Sequence, residues 1–172
     1  MSGKPTSSVR GVAFVNLQKR YAVRTSSLGD FVRGLKRQLQ LGKREFNVCF
    51  VDDNAIRQLN LAHRGKNQST DVLSFAWHET GEARASGSSR FAKHGGLANF
   101  LGDIVISVET AQRNAEIENH TTLSEIRWLI LHGVLHLLGY DHEKDNGQMI
   151  ALELATREKL GVSGGAPLRR QR

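Results

Sequence analysis

The chain has 172 residues, of which 39% are hydrophobic, and this is enough for one globular domain with a substantial core. Lysine and arginine outnumber aspartate and glutamate by 24 to 17, so the net charge is +7 and a polyanion such as RNA is one class of partner. The single cysteine, Cys49, excludes an internal disulfide framework, and its apolar neighbours predict an inert core thiol.

The two ends of the chain differ in composition from the part between them. Residues 1–12 are mostly small, polar and basic, and residues 162–172 are rich in glycine and end in basic side chains, so both segments are predicted to be disordered. Residues 13–161 are predicted to form one domain. The N-terminus lacks the apolar core of a secretory leader, and no apolar run is long enough to span a bilayer, which favours a cytoplasmic protein without membrane contact.

Short apolar strands and amphipathic helices follow one another along the predicted domain. The signals are the spacing of apolar residues, capping side chains such as Ser27 and Ser107, and stop residues such as Gly161. Residues 78–99 are rich in glycine, serine and basic side chains and are predicted to be a loop. The predicted strands span 13–17, 47–51, 71–77 and 101–107. Four helices are predicted at 27–41, 107–117, 123–138 and from Asp145 to Gly161, and a further helix is predicted to be capped by Asp52 or Asp53.

This order of elements predicts an α+β fold in which a small mixed four-stranded sheet packs against helices. The first helix carries Arg33, Lys36 and Arg37 opposite its apolar face. Such a charged face is most simply solvated, although contact with RNA is the alternative. The last helix is predicted to direct Met149, Leu152 and Ala155 towards the core.

The run Leu123–Leu138 is strongly apolar, contains no proline and predicts a buried central helix. Thr122 and Glu125 have the spacing of a capping box at its start. Gly139 is free to adopt a positive φ and is predicted to end the helix. Glu125 is thereby explained as part of the cap and is not assigned as a catalytic base.

Three histidines, spaced H-x3-H-x5-H, lie on this helix and just after it. His132 and His136 are one turn apart on the same face, so both imidazoles can reach one metal ion, and the turn at Gly139 can bring His142 back as a third ligand. Three imidazoles that leave a fourth position open are typical of a catalytic metal. They favour Zn²⁺, with Ni²⁺ or another divalent transition metal as the alternative. The sequence therefore predicts a metal site at the end of the central helix, in which His132 is both a ligand and a catalytic residue.

The spacing H-x-x-x-H-x-x-G-x-x-H is also that of the metzincin peptidases. Those enzymes carry a glutamate directly after the first histidine, where it acts as the general base for the attacking water. This chain has Gly133 at that position. The ligand scaffold is present and the peptidase base is absent, which argues against a peptidase.

The eleven-residue block HGVLHLLGYDH, residues 132–142, closely resembles the signature of the YbeY endoribonucleases, also called rRNA maturation factors. The resemblance covers about residues 13–160. The histidine block is highly specific, and two further blocks, TDVLSF and GDIVIS, support it independently. The other matching segments, in the order of the family, are Leu59–Asn60, Arg64–Lys66, Thr70–Phe75 and Leu101–Ser107.

This resemblance implies a metal-dependent endoribonuclease that cuts single-stranded RNA in rRNA processing, including maturation of the 16S rRNA 3′ end, and in ribosome quality control. It implies rRNA and ribosomal subunits as partners, and no DNA target is expected. Arg64 matches the arginine thought essential in the family, and a guanidinium there can clamp phosphate oxygens during cleavage. Without the resemblance, Arg64 would be interpreted as an ordinary exposed arginine.

Several roles stay open at the level of the sequence. Asp141, which adjoins His142, either orients an imidazole or stabilises the turn, and the general base is not identified. His63 precedes Arg64 at a position that usually holds another residue in the family, so it is interpreted as incidental. The alternative function is a non-catalytic RNA- or ribosome-binding assembly factor with a structural metal.

Overall fold

A computed structural model describes residues 7–77, 99–142 and 144–162 of the chain. Apart from Asn99, the predicted loop 78–99 lies outside the described residues, as do residues 163–172 of the predicted tail. The strands are β1 (Ser7–Val9), β2 (Val12–Asn16), β3 (Glu45–Val51), β4 (Val72–Ala76) and β5 (Phe100–Ser107). The helices are α1 (Thr25–Gln38), α2 (Asp53–Arg64), α3 (Val108–Ile117), α4 (Thr122–Leu137) and α5 (Gln148–Leu160).

The five strands form one mixed sheet in the order β1-β2-β3-β5-β4. The central strands β2, β3 and β5 run parallel, and β1 and β4 lie antiparallel to their neighbours at the two edges. The mixed α+β class is confirmed, but the predicted number of four strands is wrong. The additional strand is β1, which falls in the segment 1–12 that the sequence predicts to be disordered. This strand is three residues long and mostly polar, so it shows no apolar periodicity in the sequence. A turn at Arg10 and Gly11 brings it alongside β2, with which it pairs.

Helices cover both faces of the sheet. The larger core cluster joins one face, including Phe14, Val48 and Ile104, to buried side chains of α1, α3, α4 and α5. The smaller cluster joins the opposite face, including Cys49, to Ile56 of α2. Burial raises the pKa of the Cys49 thiol to about 12, so the predicted inert core thiol is confirmed. None of the helices in the described ranges is long and apolar enough to cross a membrane.

The caps predicted for α2 and α3 are confirmed, whereas the cap predicted for α1 is wrong. The Asp52 side chain caps α2, and the Ser107 hydroxyl accepts the backbone N–H of Thr110 at 3.2 Å at the start of α3. In contrast, α1 begins at Thr25, two residues before the predicted cap Ser27, and no side chain caps it.

The capping box predicted for α4 is wrong by one residue. The cap is Thr121, whose hydroxyl accepts the backbone N–H of Ser124 at 3.1 Å, so Thr122 is already inside the helix. Glu125 is fully buried, and its Oε2 lies 2.7 Å from Nε2 of His120 instead of at the helix cap. Two adjacent threonines are equally suited to the cap by residue type, and the backbone decides between them.

The last helix starts later and presents a different face than predicted. α5 begins at Gln148, three residues after Asp145, although the Asp145 carboxylate still accepts the backbone N–H of Met149 at 3.0 Å. Ala155 is exposed instead of facing the core, and Glu153 is buried. The inward face of α5 therefore carries a carboxylate towards α4.

The approach of α4 to the sheet depends on Gly133. A Cβ at this position would come within 2.8 Å of Cγ2 of Ile104 on β5, which is closer than real Cβ contacts. Glycine therefore allows the helix to lie directly on the strand. At the other end of the helix, Gly139 adopts φ +94° and follows the C-cap Leu138, as predicted.

Candidate metal centre

The three histidines predicted as ligands come together at the C-terminal end of α4. His132 and His136 occupy successive turns, and their Nε2 atoms are 3.1 Å apart. The ring centroid of His142, beyond the turn, lies 5.5 Å from that of His132 and 5.4 Å from that of His136. One donor nitrogen from each ring lies within 4.8 Å of the other two.

The opposite ring nitrogens of the first two histidines are held by the protein. Nδ1 of His132 lies 2.9 Å from Oε2 of Glu153, and the Trp128 indole N–H donates to Oε1 of the same carboxylate at 2.5 Å. Nδ1 of His136 lies 3.0 Å from the backbone oxygen of Tyr140. A carbonyl and an ionised carboxylate can only accept, so we assign the proton of each imidazole to Nδ1. Each Nε2 is then left with a free lone pair.

This assignment makes the cluster suitable for a cation. Two lone pairs 3.1 Å apart, on His132 and His136, repel each other unless a positive charge lies between them. Two nitrogens about 2.0–2.1 Å from a tetrahedral ion would be about 3.3 Å apart, close to this distance. Nδ1 of His142 is buried and has no hydrogen-bond partner among the described residues, and one nitrogen of this ring lies within 4.8 Å of the other two donors. The residues present therefore fit a transition-metal ion.

The environment also keeps His136 neutral. Burial is the largest cause, and together with the neighbouring His132 and His142 rings it lowers the pKa of His136 to about 4. The hydrogen bond with Tyr140 acts in the opposite direction but does not reverse the shift. At neutral pH the imidazole is unprotonated on Nε2, which is the form that binds a metal.

Glu153 is the residue of this site that the sequence analysis missed. Burial by itself would raise its pKa, but hydrogen bonds from His132 and Trp128 outweigh burial and hold the pKa below the ordinary value. The carboxylate is therefore ionised and orients the His132 ring. Its sequence signal is weak: Glu153 lies four residues after the buried Met149, and so on the same helical face.

His132 and His136 line a cleft of about 250 Å³. The structure brings Arg64 to this cleft, although not from a loop as predicted. Arg64 is the last residue of α2, and Gly65, with φ +70°, ends the helix immediately after it. Arg64 thus lines the same cavity as His132 and His136. Other side chains that line it are Ser74, Tyr140 and Asp141.

Two residues with open roles now have structural neighbours. The Asp141 carboxylate forms an ion pair with Lys144 at 3.0 Å, and its backbone oxygen accepts the N–H of Asp145 at 2.8 Å, so it stabilises the turn that carries His142. The ring of His63 packs edge-on against Phe75 of β4, with centroids 4.9 Å apart. Its ring contact is therefore with the sheet.

The fold and the cluster together define an α+β protein with a three-histidine centre that can hold a metal ion, beside a cleft that also contains an arginine. A model of the family described as Endoribonuclease YbeY matches residues 15–161. The chain belongs to the YbeY family of endoribonucleases.

Individual relatives agree with this assignment. Proteins named Endoribonuclease YbeY from Halalkalibacterium halodurans and Helicobacter hepaticus are 43% and 44% identical, over 63% and 67% of this chain and 66% and 68% of their own. The protein of that name from Syntrophus aciditrophicus is 35% identical over 91% of this chain and 92% of its own. The solution structure of TM1509 from Thermotoga maritima shares the fold, with a TM-score of 0.56 over 87% of this chain and 88% of its own at 23% identity. The resemblance stated from the sequence is confirmed, and the names of the relatives support an endoribonuclease over a non-catalytic assembly factor.

Proposed function

We propose that this chain is a metal-dependent endoribonuclease that hydrolyses single-stranded RNA, with the rRNA of ribosomal subunits as its substrate. Maturation of the 16S rRNA 3′ end and ribosome quality control are the processes that the family resemblance implies. The observation that carries this proposal is that Arg64 lines the same cleft as His132 and His136, two members of the three-histidine cluster. The absence of a DNA target, the cytoplasmic location and the division into a domain at 13–161 with disordered ends stay predictions, except that residues 7–12 hold β1, a turn and the start of β2.

The proposed ligands are His132, His136 and His142, with Zn²⁺ as our first choice of ion and Ni²⁺ or another divalent transition metal as the alternative. When bound there, such an ion lowers the pKa of a water molecule and polarises a phosphoryl oxygen. Neutral imidazoles do not offset the charge of the ion, which suits an anionic substrate. The geometry that supports this set is the 3.1 Å separation of the first two Nε2 atoms.

The side chains around the ligands have separate tasks. Arg64 is proposed as a catalytic residue that binds phosphate oxygens in a bidentate manner and stabilises the negative charge that develops during cleavage. Glu153 and the backbone oxygen of Tyr140 keep the two helical imidazoles in the tautomer that leaves Nε2 unprotonated. Ser74 offers a hydroxyl group in the same cleft.

The structure adds a reason why this site is not that of a peptidase. The position that carries the base in metzincins is Gly133, which faces Ile104 and has no room for a Cβ. A glutamate there would collide with β5, so the base cannot be restored by a simple substitution.

The test of this proposal measures metal content and RNA cleavage in the same samples. The purified protein is stripped with a chelator and reloaded with Zn²⁺, and cleavage of a labelled single-stranded fragment from the 3′ end of 16S rRNA is followed. We expect about one metal equivalent per chain, as for a three-histidine site, and cleavage that the chelator abolishes. His136→Ala should lose both metal and cleavage, whereas the control His63→Ala should keep both.

Two outcomes would overturn the proposal. Fully loaded wild-type protein that binds the fragment but does not cut it would point to the assembly factor with a structural metal. Cleavage by His136→Ala at the wild-type rate would show that the histidine cluster is not the centre of the reaction.

A further inference from the structure

A second cleft, of about 560 Å³, shares no lining residue with the histidine cleft. It forms where the β1–β2 turn, the C-terminal half of α1 and the connection from α1 to β3 meet. We call it the basic cleft. Its charged lining residues are Arg10, Arg33, Lys36, Arg37, Lys43 and, as the acidic member, Glu45.

The basic cleft lies in the segment that holds the whole charge excess of the protein. Residues 7–45 contain nine lysines and arginines against two acidic residues, a surplus of seven that equals the net charge of +7 for the entire chain. Acidic and basic residues therefore balance in the rest of the sequence. A charge that served only to keep the protein soluble would have no reason to gather in one segment.

Lys36 is not a solvated residue of the helix face, as the sequence analysis favoured, but the support of this cleft. It is 8% exposed, and its ammonium group donates to the backbone oxygens of Arg10 at 2.8 Å and Arg44 at 2.7 Å. One buried cation therefore fixes the β1–β2 turn and the α1–β3 connection to each other. The acidic Glu45 lies along Gly11, where a Cβ would approach its Cγ to 2.7 Å.

The other cations of the basic cleft differ in how far they are already neutralised. Arg33 forms an ion pair with Asp30 one turn earlier in α1. Arg10, Arg37 and Lys43 are exposed, and none of them forms an ion pair with any residue in the described ranges of the chain. Three cations on a rigid support, without acidic partners of their own, form a surface that suits phosphate groups.

The basic cleft and the histidine cleft are close enough for one strand of nucleic acid. The basic cleft adjoins the start of β3, where Glu45 pairs with Phe100 of β5. The histidine cleft adjoins residues 72–74 of β4, which pair with residues 104–106, four to six residues further along β5. The order of the sheet puts three strand spacings, about 14 Å, between β2 and β4, and the offset along the strands adds about 13–20 Å in the perpendicular direction. An extended strand of several nucleotides can span this separation.

We propose that the basic cleft binds backbone phosphates of the RNA strand whose scissile bond lies in the histidine cleft. This inference rests on the proposed function for the identity of the polyanion. Phosphate contacts carry no sequence information, so the basic cleft supplies affinity and position and leaves the chemical step unchanged.

The test compares arginines on two helices. Arg37→Gln removes one charge from the basic cleft, Arg37→Gln with Lys43→Gln removes two, and the control Arg57→Gln removes one exposed arginine from α2, on the opposite face of the sheet. Binding of a fluorescent 2′-O-methyl RNA of about 20 nucleotides, which resists cleavage, is measured by anisotropy over a range of salt. For single-stranded RNA, each lost phosphate contact reduces the magnitude of the slope of log association constant against log salt concentration by about 0.7. If the binding lines meet at about 1 M salt, this change corresponds to roughly a fourfold loss of affinity near 0.15 M salt. The double variant should lose roughly 15-fold and about 1.4 in slope.

Cleavage kinetics provide the second measurement. With a long RNA the double variant should raise KM and leave kcat unchanged, and with an RNA too short to reach the basic cleft it should cut at the wild-type rate. Equal affinity and salt slope in the double variant and the control would overturn the inference, whether or not the protein cuts RNA. Wild-type protein that cuts no RNA would instead overturn the proposed function, and the anisotropy measurement would still decide on the basic cleft.

Discussion

Replacing Glu153 with glutamine tests how the fold orients the first metal ligand. The carboxylate accepts two hydrogen bonds, one from the Trp128 indole N–H at 2.5 Å and one from Nδ1 of His132 at 2.9 Å. Glutamine has the same shape but only one accepting oxygen, so its amide N–H would face one of the two donors. Either the indole loses its partner, or His132 moves its proton to Nε2 and blocks the metal-binding nitrogen.

The size of the effect follows from these two contacts. Leaving one buried donor without a partner costs about 1–3 kcal/mol of stability. Loss of the group that orients a metal-bound histidine typically weakens metal affinity by about 10- to 100-fold. We therefore expect Glu153→Gln to reduce both the unfolding free energy of the metal-free protein and the affinity for Zn²⁺, with the larger relative effect on affinity.

The assay separates these effects. Competition with a chromogenic chelator gives the Kd for Zn²⁺, and thermal unfolding of the metal-free protein gives the change in stability. The matched control is Glu158→Gln, an exposed glutamate on the same helix, which should leave both quantities unchanged. If the Kd of Glu153→Gln stayed within about threefold of wild type, well below the expected range, the carboxylate would not be orienting the ligand.

Three further predictions follow from the geometry of the site. Arg64→Ala should keep the metal but lose about 10²–10³ in the single-turnover rate of RNA cleavage, with poor rescue by lysine, and a loss of only a few-fold would remove Arg64 from the reaction. Gly133→Ala should lower the unfolding free energy by about 1–3 kcal/mol in chemical denaturation, because its Cβ would overlap Ile104, and an unchanged midpoint would contradict this packing. Chelation should leave the helical circular-dichroism signal intact, because the core is independent of the ligands, and should remove about 2.7 kcal/mol if the ion was present at a hundred times its Kd. Unfolding on chelation would show that the metal is structural.

The sequence predicts the interior of this fold better than its edges. The apolar strands β3 and β5 and the helix α4 carry strong periodic or continuous hydrophobic signals, and their positions agree with the structure within a few residues. Strand β1 is polar and short, and it forms because the turn at Arg10 and Gly11 folds it onto β2. Its own residues show no pattern that would predict this pairing. The order of strands in the sheet depends in the same way on contacts between distant segments.

In the candidate site too, features set by local sequence are predictable and features set by contacts between distant segments are not. His132 and His136 follow from helical spacing, and Gly139 marks the turn that returns the third histidine, so local sequence is enough to bring the ligands together. The role of Glu153 arises only because α5 packs across α4, and helical spacing alone predicted a different inward face. The position of Arg64 at the end of a helix could likewise not be predicted, because the polar residues around it are equally typical of a loop.

Two of the three proposed ligands lie on the buried helix α4, and the third lies on the turn that follows it. His132 and His136 alternate on α4 with Leu131 and Leu135, which are fully buried, so the two rings cannot separate without disturbing a close-packed core. His142 stands on a turn that connects to the helix through hydrogen bonds of its backbone, such as that from the Tyr140 N–H to the Leu135 oxygen at 3.1 Å. The core therefore sets the two helical nitrogens 3.1 Å apart, near the separation that an ion requires, whereas the third donor nitrogen, within 4.8 Å of both, belongs to the turn. Any adjustment of His142 towards an ion would fall on this turn, so we expect metal binding to leave the packing of the sheet against its helices unchanged.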